Sequence, residues 1–164
     1  MKNEKKKEVV IFSDGACRGN PGPGGYGAIL KYGEHVKELS DGFRKTTNNR
    51  MELMGCIAAM QALKEPCTVS IVSDSKYVVQ AIEKGWLMRW KSFGWLSKNK
   101  EPIKNRDLWE LTLTELHRHD VTCKWIKGHS GHKENERCDR LATSAAKKHP
   151  QKTDDGFENP PAIF

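Results

Sequence analysis

Four acidic side chains in this sequence could act together chemically if the fold brings them to one place. Two of them stand after apolar, β-branched runs: "EVVIF" precedes Asp14, and "CTVSIVS" ends at Asp74. Such runs predict buried strands, and parallel strands place their carboxyl ends at one edge of a sheet. A single aspartate after a strand is commonly only a turn residue. The case for chemistry therefore depends on the two remaining acids, Glu52 and Asp139.

Glu52 and Asp139 each allow a structural and a functional interpretation. In "TTNNRMELMG", Glu52 is the only charged side chain between Arg50 and Lys64. Asn49 can cap the helix that begins here, and Glu52 three residues later fits a capping box. Asp139, in "ENERCDRLATSAA", is either a solvated charge on the last helix or a member of an acidic cluster. Taken one at a time, these residues leave both interpretations open.

Electrostatics indicates what a cluster of these acids would need. Two carboxylates about 4 Å apart repel by roughly 4 kcal/mol at an effective dielectric constant near 20, so four of them require protons or cations. Oxygen ligands favour Mg²⁺ or Mn²⁺ over zinc, and two such ions about 3.5–4 Å apart can cleave a phosphodiester bond. A zinc site is not expected, because no C-x-x-C pair occurs in the one suggestive spacing, Cys123, His129, His132 and Cys138.

The elements that must position the acids can be predicted from the hydrophobic pattern. The loop "RGNPGPGG" separates a first strand (8–12) from two strands in "YGAILKYGEHVKELSDGF", which most simply form an antiparallel meander. Strands are also predicted over 67–74 and 121–127, and helices over 49–64, 75–84, 86–92, "RDLWELTLTELHRH" and 133–148. Strands joined through helices lie parallel. The predicted fold is therefore α/β, with a five-stranded mixed sheet, three antiparallel strands then two parallel, flanked by helices.

Length and charge limit the class of protein further. A chain of 164 residues predicts one domain, placed at 1–149, followed by a proline-containing tail at 150–164 that is expected to be mobile. The formal net charge of +7 favours a polyanionic partner, and residues 84–106 hold seven Lys and Arg against one Glu. The charged N-terminus lacks a secretory or membrane-spanning run, and the five cysteines are odd in number. We therefore expect a soluble, cytoplasmic protein with reduced thiols.

Five segments, in this order along the chain, resemble type 1 ribonuclease H, the cellular bacterial form: "SDGACRGNPGPGGYGAIL", "TTNNRMELM", "SDSKY", "KNRDLW" and "WIKGHSGHKENERCDRLA". The resemblance covers residues 8 to about 148. It implies a ribonuclease H-like fold and an endonuclease that hydrolyses the RNA strand of RNA/DNA hybrids, leaving 5′-phosphate and 3′-hydroxyl ends. It also implies up to two Mg²⁺ (or Mn²⁺) ions per site, a monomer, and no obligate protein partner.

The resemblance also implies roles for individual residues. The metal ligands would be Asp14, Glu52, Asp74 and Asp139, with Asp14 bridging both ions. His129, within "KGHSGH", would assist proton movement or product release. A DNA-strand phosphate would dock near Thr47 and Asn105. The RNA strand would be recognised by its 2′-hydroxyl groups near Cys17, Asn20, Asn48, Glu52 and Gln80. A basic protrusion (84–106) would also bind the hybrid, through Trp86, Lys91, Lys98 and Lys100.

Three positions depart from the family pattern. Lys76 stands where Gln is common in close relatives, Thr143 stands where a basic residue is common, and Gly85 resembles a one-residue insertion. None of them removes an implied metal ligand. Two other functions remain as alternatives: a hybrid-binding module without catalysis, and a DNA-cutting relative on the same fold, such as a resolvase or transposase core. The second is disfavoured, because those proteins share acidic clusters but lack the motifs around Glu52 and Asp139.

Overall fold

A mixed five-stranded sheet organises residues 5–160, the part of the chain that the computed structural model describes. Residues 1–4 and 161–164, which belong to the predicted domain and the predicted tail, lie outside the described residues. The strands are β1 (Lys7–Cys17), β2 (Gly22–Tyr32), β3 (His35–Thr46), β4 (Cys67–Ser73) and β5 (Asp120–Trp125). Their order is β3-β2-β1-β4-β5; the first three pair antiparallel, and β4 lies parallel to both β1 and β5. The fold class predicted from the sequence is confirmed.

The five predicted helices occur in the predicted order, and four of them end one to three residues before their predicted ends. The helices are α1 (Asn48–Gln61), α2 (Lys76–Glu83), α3 (Trp86–Ser92), α4 (Arg106–Arg118), α5 (Lys133–Lys147) and a short α6 (Asp155–Glu158). None of the helices among residues 5–160 is long and apolar enough to cross a membrane.

The two faces of the sheet bury different residues of the same strand. Val9 and Ile11 of β1 belong to the larger core, together with residues of α1, α2 and α4 such as the fully buried Trp109. Phe12 points to the other face, where it packs with Cys138 of α5. This alternation is the period of two that a strand imposes on its side chains. Helices therefore cover both faces, and the strand ends stay free to form a site.

The predicted end of the first strand is wrong. β1 does not stop at residue 12, because the backbone continues to pair with β2 through Asp14 opposite Gly27 and Cys17 opposite Gly24. The glycines of "GPGGYG" appear as a loop in the sequence, but here they form the start of β2. Asp14 therefore lies inside a paired strand and not in a turn.

The predicted cap of α1 is also wrong. Thr47, in an extended conformation after β3, is the N-cap, and its side chain accepts a hydrogen bond from the Arg50 backbone N–H at 3.3 Å. Asn49 is already helical. The helix begins earlier than predicted because the chain leaves β3 directly into the cap. Glu52 is thus too deep in α1 to close a capping box.

The C-terminal segment differs from the mobile tail that composition predicts. The Arg44 backbone N–H donates to the carbonyl of Lys152 at 2.8 Å, which ties the segment to β3. The Asp154 side chain is buried and accepts a hydrogen bond from Thr46 Oγ1 at 2.7 Å. Arg50 of α1 also pairs with it, at 2.7 Å. The segment is held by polar contacts and not by apolar burial, which a hydrophobicity pattern does not reveal.

Close backbone packing places α5 against the sheet. A Cβ atom built on Gly27 would lie 2.5 Å from the carbonyl oxygen of Cys138 and 2.6 Å from Cβ of Leu141. A glycine is needed here because no side chain fits between β2 and this helix. The position of Asp139, the next residue along α5, therefore depends on this contact.

We predict that Gly27→Ala destabilises the protein by about 1–3 kcal/mol, the usual cost of overpacking, because the added methyl group must push α5 away from β2. Urea denaturation measures the change. Gly55→Ala is the matched control, since its Cβ would make an ordinary contact of 3.4 Å with Ser13. The control is expected to be neutral or stabilising, because alanine favours a helix over glycine. Equal stability of Gly27→Ala and the wild type would contradict this account.

Candidate active site

Three carboxylates converge at one edge of the sheet. Side-chain oxygens of Asp14, Glu52 and Asp74 all lie within 4.8 Å of one another. Phe12 pairs with Val72 in the parallel ladder of β1 and β4, so that Asp14 and Asp74, each two residues further, arrive at the same level. The sheet register alone therefore brings together two acids that are far apart in the sequence.

Glu52 reaches the same place because α1 lies directly on β1. A Cβ atom on Gly15 would lie 2.5 Å from the backbone nitrogen of Glu52 and 2.7 Å from the Met51 carbonyl carbon. This approach buries Glu52, which is 6% exposed. Its Oε2 atom is the one buried side-chain oxygen or nitrogen in the described residues that has no hydrogen-bond partner. An acceptor left in this state is costly unless a donor or a cation meets it.

The electrostatics of the cluster favour an added positive charge. Burial raises the pKa of Asp14 to about 7, and the charge of Asp74 and, more weakly, that of Asp139 add to this effect. Burial also raises the pKa of Glu52 well above its usual value, with the charges of Asp14 and Asp74 acting in the same direction. The three carboxylates therefore resist ionising together. A divalent cation fits this donor set, which consists of oxygen atoms alone.

Asp139 lies beside this group but outside the triple that meets within 4.8 Å. It sits half-buried on α5, next to the fully buried Cys138, and is near enough for its charge to raise the pKa of Asp14. Thr143, one of the departures from the family pattern, donates its hydroxyl to the Asp139 carbonyl at 2.7 Å. The structure thus brings Asp14, Glu52 and Asp74 together, with Asp139 close enough for its charge to act on Asp14.

The loop that carries His129 begins at the cluster. A Cβ atom on Gly128 would lie 2.7 Å from Oδ2 of Asp74, so the loop backbone rests on that carboxylate. His129 is exposed and has a positive φ of 54°, and Gly131 has a φ of 85°. This turn leaves the imidazole on the surface, one residue after the contact with Asp74. Lys76, another departure, lies 4.9 Å from the ring centre of Trp125, whose indole N–H donates to the Asp74 carbonyl.

The predicted substrate contacts fall into separate groups. Cys17 Sγ lies 3.4 Å from the carbonyl oxygens of Gly22 and Thr46, and its single S–H can donate to either one. Asn20 Oδ1 accepts from the Asn48 backbone N–H at 3.1 Å. Cys17, Asn20 and Asn48 therefore lie together near the start of α1. Gln80 lies on α2, the helix that follows Asp74.

Thr47 and Asn105 lie beside a polar network that the sequence analysis missed. Thr47 caps α1, and Asn105 precedes α4 with a left-handed φ of 63°. The Asn105 side chain bonds to Arg50 and Tyr77. Arg50 pairs in turn with Asp107 and Asp154. The nearest sequence signal was the lone Arg50 at the start of an apolar helix, since buried arginines require acidic partners.

The basic protrusion combines an aromatic base with exposed lysines. Trp90 packs edge-on against buried Trp109, with ring centres 5.6 Å apart, and Trp86 lies 6.3 Å from Trp90. A groove of about 910 Å³ lies over these rings. Its lining residues are Trp86, Arg89, Trp90, Phe93, Leu96, Ser97, Lys98, Asn99 and Lys100. Gly85, at a φ of 70°, joins α2 to this segment, so the inserted residue falls in the turn between two helices.

The sheet topology and the converging carboxylates define a nuclease of the ribonuclease H-like class. The RNase H family model matches residues 6–147. Ribonuclease H of Idiomarina loihiensis is 54% identical over 151 residues, covering 92% of this chain and 96% of the relative. Ribonuclease H of Desulforamulus reducens is 56% identical over 146 residues, covering 89% and 92%. The crystal structure of LC9-RNase H1, a type 1 RNase H with the type 2 active-site motif, superposes with a TM-score of 0.80 at 29% identity, covering 92% of this chain and 77% of that one.

The chain therefore belongs to the RNase H family, and its relatives are bacterial ribonucleases H. It is an enzyme, a ribonuclease of the hydrolase class, and the family activity is cleavage of the RNA strand of RNA/DNA hybrids. The family and the enzyme class predicted from the sequence are confirmed.

We predict that Asp14→Asn stabilises the metal-free protein by roughly 1–3 kcal/mol at pH 8, because it removes a charge that the fold disfavours. The pKa of Asp14 is raised to about 7 in the folded state. Below about pH 4 the carboxyl is protonated in both the folded and the unfolded protein, so it does not change the free energy of unfolding. Between about pH 4 and pH 7 only the folded protein keeps the proton, so the free energy of unfolding falls as the pH rises. The gain should therefore shrink as the pH falls to 5. Urea denaturation in EDTA across this range measures it, with Asp120→Asn, an exposed acid, as the control. A gain independent of pH would contradict the prediction.

We also predict that replacing Lys91, Lys98 and Lys100 with Glu weakens hybrid binding and flattens its salt dependence. Each lost phosphate contact should reduce the slope of log K against log salt by about 0.7–0.9. Fluorescence anisotropy in EDTA at several salt concentrations measures the slope. The matched control changes three exposed lysines away from the protrusion, Lys5, Lys37 and Lys64, to Glu. An identical slope in both triple variants would mean that only net charge matters.

Proposed function

We propose that this protein hydrolyses the RNA strand of RNA/DNA hybrids with up to two Mg²⁺ ions, or Mn²⁺, held by Asp14, Glu52, Asp74 and Asp139. Cleavage leaves 5′-phosphate and 3′-hydroxyl ends. The observation that carries the proposal is the Glu52 Oε2 atom, buried without a partner in the described residues beside two other carboxylates. The protein acts as a monomer in the cytoplasm, without an obligate protein partner.

Each acid has a distinct position in this arrangement. Asp14 is central, since the charges of both Asp74 and Asp139 act on it, so it is the residue to hold both ions. Glu52 and Asp74 would share one ion with it, and Asp139 would hold the other. When bound, the ions activate a water molecule and stabilise the leaving oxygen of the phosphodiester. The rigid register of β1 and β4 fixes the acids before substrate arrives, which favours electrostatic stabilisation.

His129 serves proton movement or product release. Its loop starts on the Asp74 carboxylate at Gly128, and the imidazole is exposed one residue further along. Histidine is the side chain that most often acts as a general acid or base in enzymes. Its replacement should slow the reaction without abolishing it, because the acids remain in place.

The two strands of the hybrid are distinguished by separate groups of residues. RNA is recognised by its 2′-hydroxyl groups, which polar atoms around Cys17, Asn20, Asn48, Glu52 and Gln80 contact. The DNA strand is held through its phosphates, which carry no sequence information. Its contacts are Thr47 and Asn105 in one pocket, and Trp86, Lys91, Lys98 and Lys100 on the protrusion.

We predict that Glu52→Gln reduces cleavage at least about 100-fold while hybrid binding in EDTA stays near wild type, because the amide removes an ion ligand and not a phosphate contact. The assay uses labelled RNA in RNA/DNA, RNA/RNA and DNA/DNA duplexes with Mg²⁺, then with excess EDTA. The product ends are identified by phosphatase treatment and 3′ extension. Glu65→Gln, an exposed acid paired with Lys7, is the control.

Three results would reject the proposal. They are wild-type turnover of Glu52→Gln in enzyme purified free of host nuclease, cleavage that persists in EDTA, and equal cleavage of all three duplexes. Intact hybrid binding with no cleavage by the wild type under any divalent ion would instead favour the hybrid-binding module.

A further inference from the structure

We propose that Asp154, in the C-terminal segment, is a positioning residue for the DNA-phosphate pocket at Thr47 and Asn105. It fixes the Arg50 guanidinium, which in turn fixes the orientation of the Asn105 side-chain amide. The inference rests on the proposed function of that pocket and extends it to a part of the chain that the family match, residues 6–147, does not include.

Arg50 is fully occupied by protein partners. Its guanidinium has five N–H donors, and each has an acceptor. Nε and Nη2 donate to Asp154 at 2.7 and 2.9 Å, Nη1 and Nη2 donate to Asp107 at 2.8 and 2.7 Å, and Nη1 donates to Asn105 Oδ1 at 3.3 Å. Arg50 is 2% exposed. It therefore has no donor left for a phosphate, and it can affect substrate only through the residues that it holds.

Asn105 is the residue through which Arg50 acts. Asparagine is a favoured helix cap, yet the side chain of Asn105 makes no cap hydrogen bond to α4. Its left-handed backbone instead turns the amide toward Arg50 and Tyr77. Because arginine can only donate, Oδ1 must face Arg50. Nδ2 then donates to the Tyr77 hydroxyl at 3.0 Å, which leaves its second N–H for a phosphate oxygen.

The polarity of this amide decides whether the pocket attracts or repels phosphate. With Oδ1 on Arg50, the pocket offers an N–H donor from Asn105. A reversed amide would offer a carbonyl oxygen to an anion instead. Tyr77 does not set the orientation by itself, because its hydroxyl oxygen receives the Trp109 indole N–H at 3.1 Å and its own O–H could donate to a reversed amide. The donor-only Arg50 is therefore the group that sets the orientation.

Asp154 holds Arg50 in the orientation that this requires. It is 2% exposed and bonds both Thr46 and Arg50, the residues on either side of the α1 cap region around Thr47. Gly156 lies on the Arg50–Asp107 pair, where an added Cβ would overlap both the guanidinium and the carboxylate. Without Asp154, the buried Arg50 guanidinium would keep only one carboxylate partner, the half-exposed Asp107, and would turn toward it. The Nη1 bond to Asn105 is the weakest of the set and would be lost in that turn.

The test uses three variants of the C-terminal segment. Asp154→Asn removes the charge, and Gly156→Ala pushes a methyl group into the Arg50–Asp107 pair without changing any polar group. Glu158→Gln is the matched control, since it weakens only the pair with Arg44. Thermal melting fixes a temperature at which all are folded. The probes are hybrids that carry one methylphosphonate linkage, scanned along the DNA strand. Thr47→Ala and Asn105→Ala test the pocket itself.

Asp154→Asn and Gly156→Ala should raise KM about tenfold, as expected for one charge-assisted hydrogen bond, with kcat changed less than about twofold. Wild type and Glu158→Gln should bind one methylphosphonate hybrid about tenfold more weakly than the unmodified duplex. Asp154→Asn and Gly156→Ala should lose that discrimination. A purely stabilising role of Asp154 would leave it intact.

The possible failures are distinguishable. If Thr47→Ala and Asn105→Ala lose the discrimination but the folded Asp154 and Gly156 variants keep it, the inference is wrong and the proposed pocket stands. If Thr47→Ala and Asn105→Ala keep it, the proposed pocket itself is wrong, and the inference falls with it. A change confined to kcat also overturns the inference. If Asp154→Asn does not fold, Gly156→Ala decides the question.

Discussion

Repulsion among buried carboxylates is the constraint on which this structure depends. The parallel register of β1 and β4 and the contact of Gly15 with α1 force Asp14, Glu52 and Asp74 within 4.8 Å of one another. No donor in the described residues meets Glu52 Oε2, and the pKa of Asp14 is raised to about 7. A protein selected for stability alone would separate these groups. The close packing that holds them together makes sense if a cation binds there. The same negative charges that destabilise the metal-free fold would increase the affinity for a cation.

The first turns of α1 join this site to substrate binding. Arg50 and Glu52 are two residues apart, so their side chains leave the helix in nearly opposite directions. Arg50 faces the network at Thr47, Asn105 and Asp154, while Glu52 faces Asp14. One short helical segment therefore fixes the separation between the phosphate pocket and the acidic cluster. The two features are proposed to contact opposite strands of the hybrid. The separation between them would therefore have to match the distance between the two strands.

The sequence predicts the features that depend on local pattern. Apolar runs locate the strands, and motifs around Asp14, Glu52, Asp74 and Asp139 locate the acids. The wrong predictions arise where long-range contacts override local signals. Gly24 and Gly25, which the sequence places in a loop, pair with β1, and Gly25 also lets α5 approach closely. Asp154 lies in a polar, proline-containing segment, and nothing near it in the sequence reveals that its partner is Arg50, 104 residues earlier. A buried ion pair has no hydrophobic period to detect.

The distribution of charge explains how an anionic duplex can approach an acidic site. Much of the net charge of +7 comes from one segment, residues 84–106, which holds seven basic residues against one acid. Long-range attraction by such a surface steers a polyanion before any short-range contact forms. Near neutral pH the raised pKa of Asp14 also lowers the negative charge of the metal-free cluster. Under the proposed function, affinity for the duplex and the chemistry at the acids reside in different residues, so that substitutions should remove either one and leave the other.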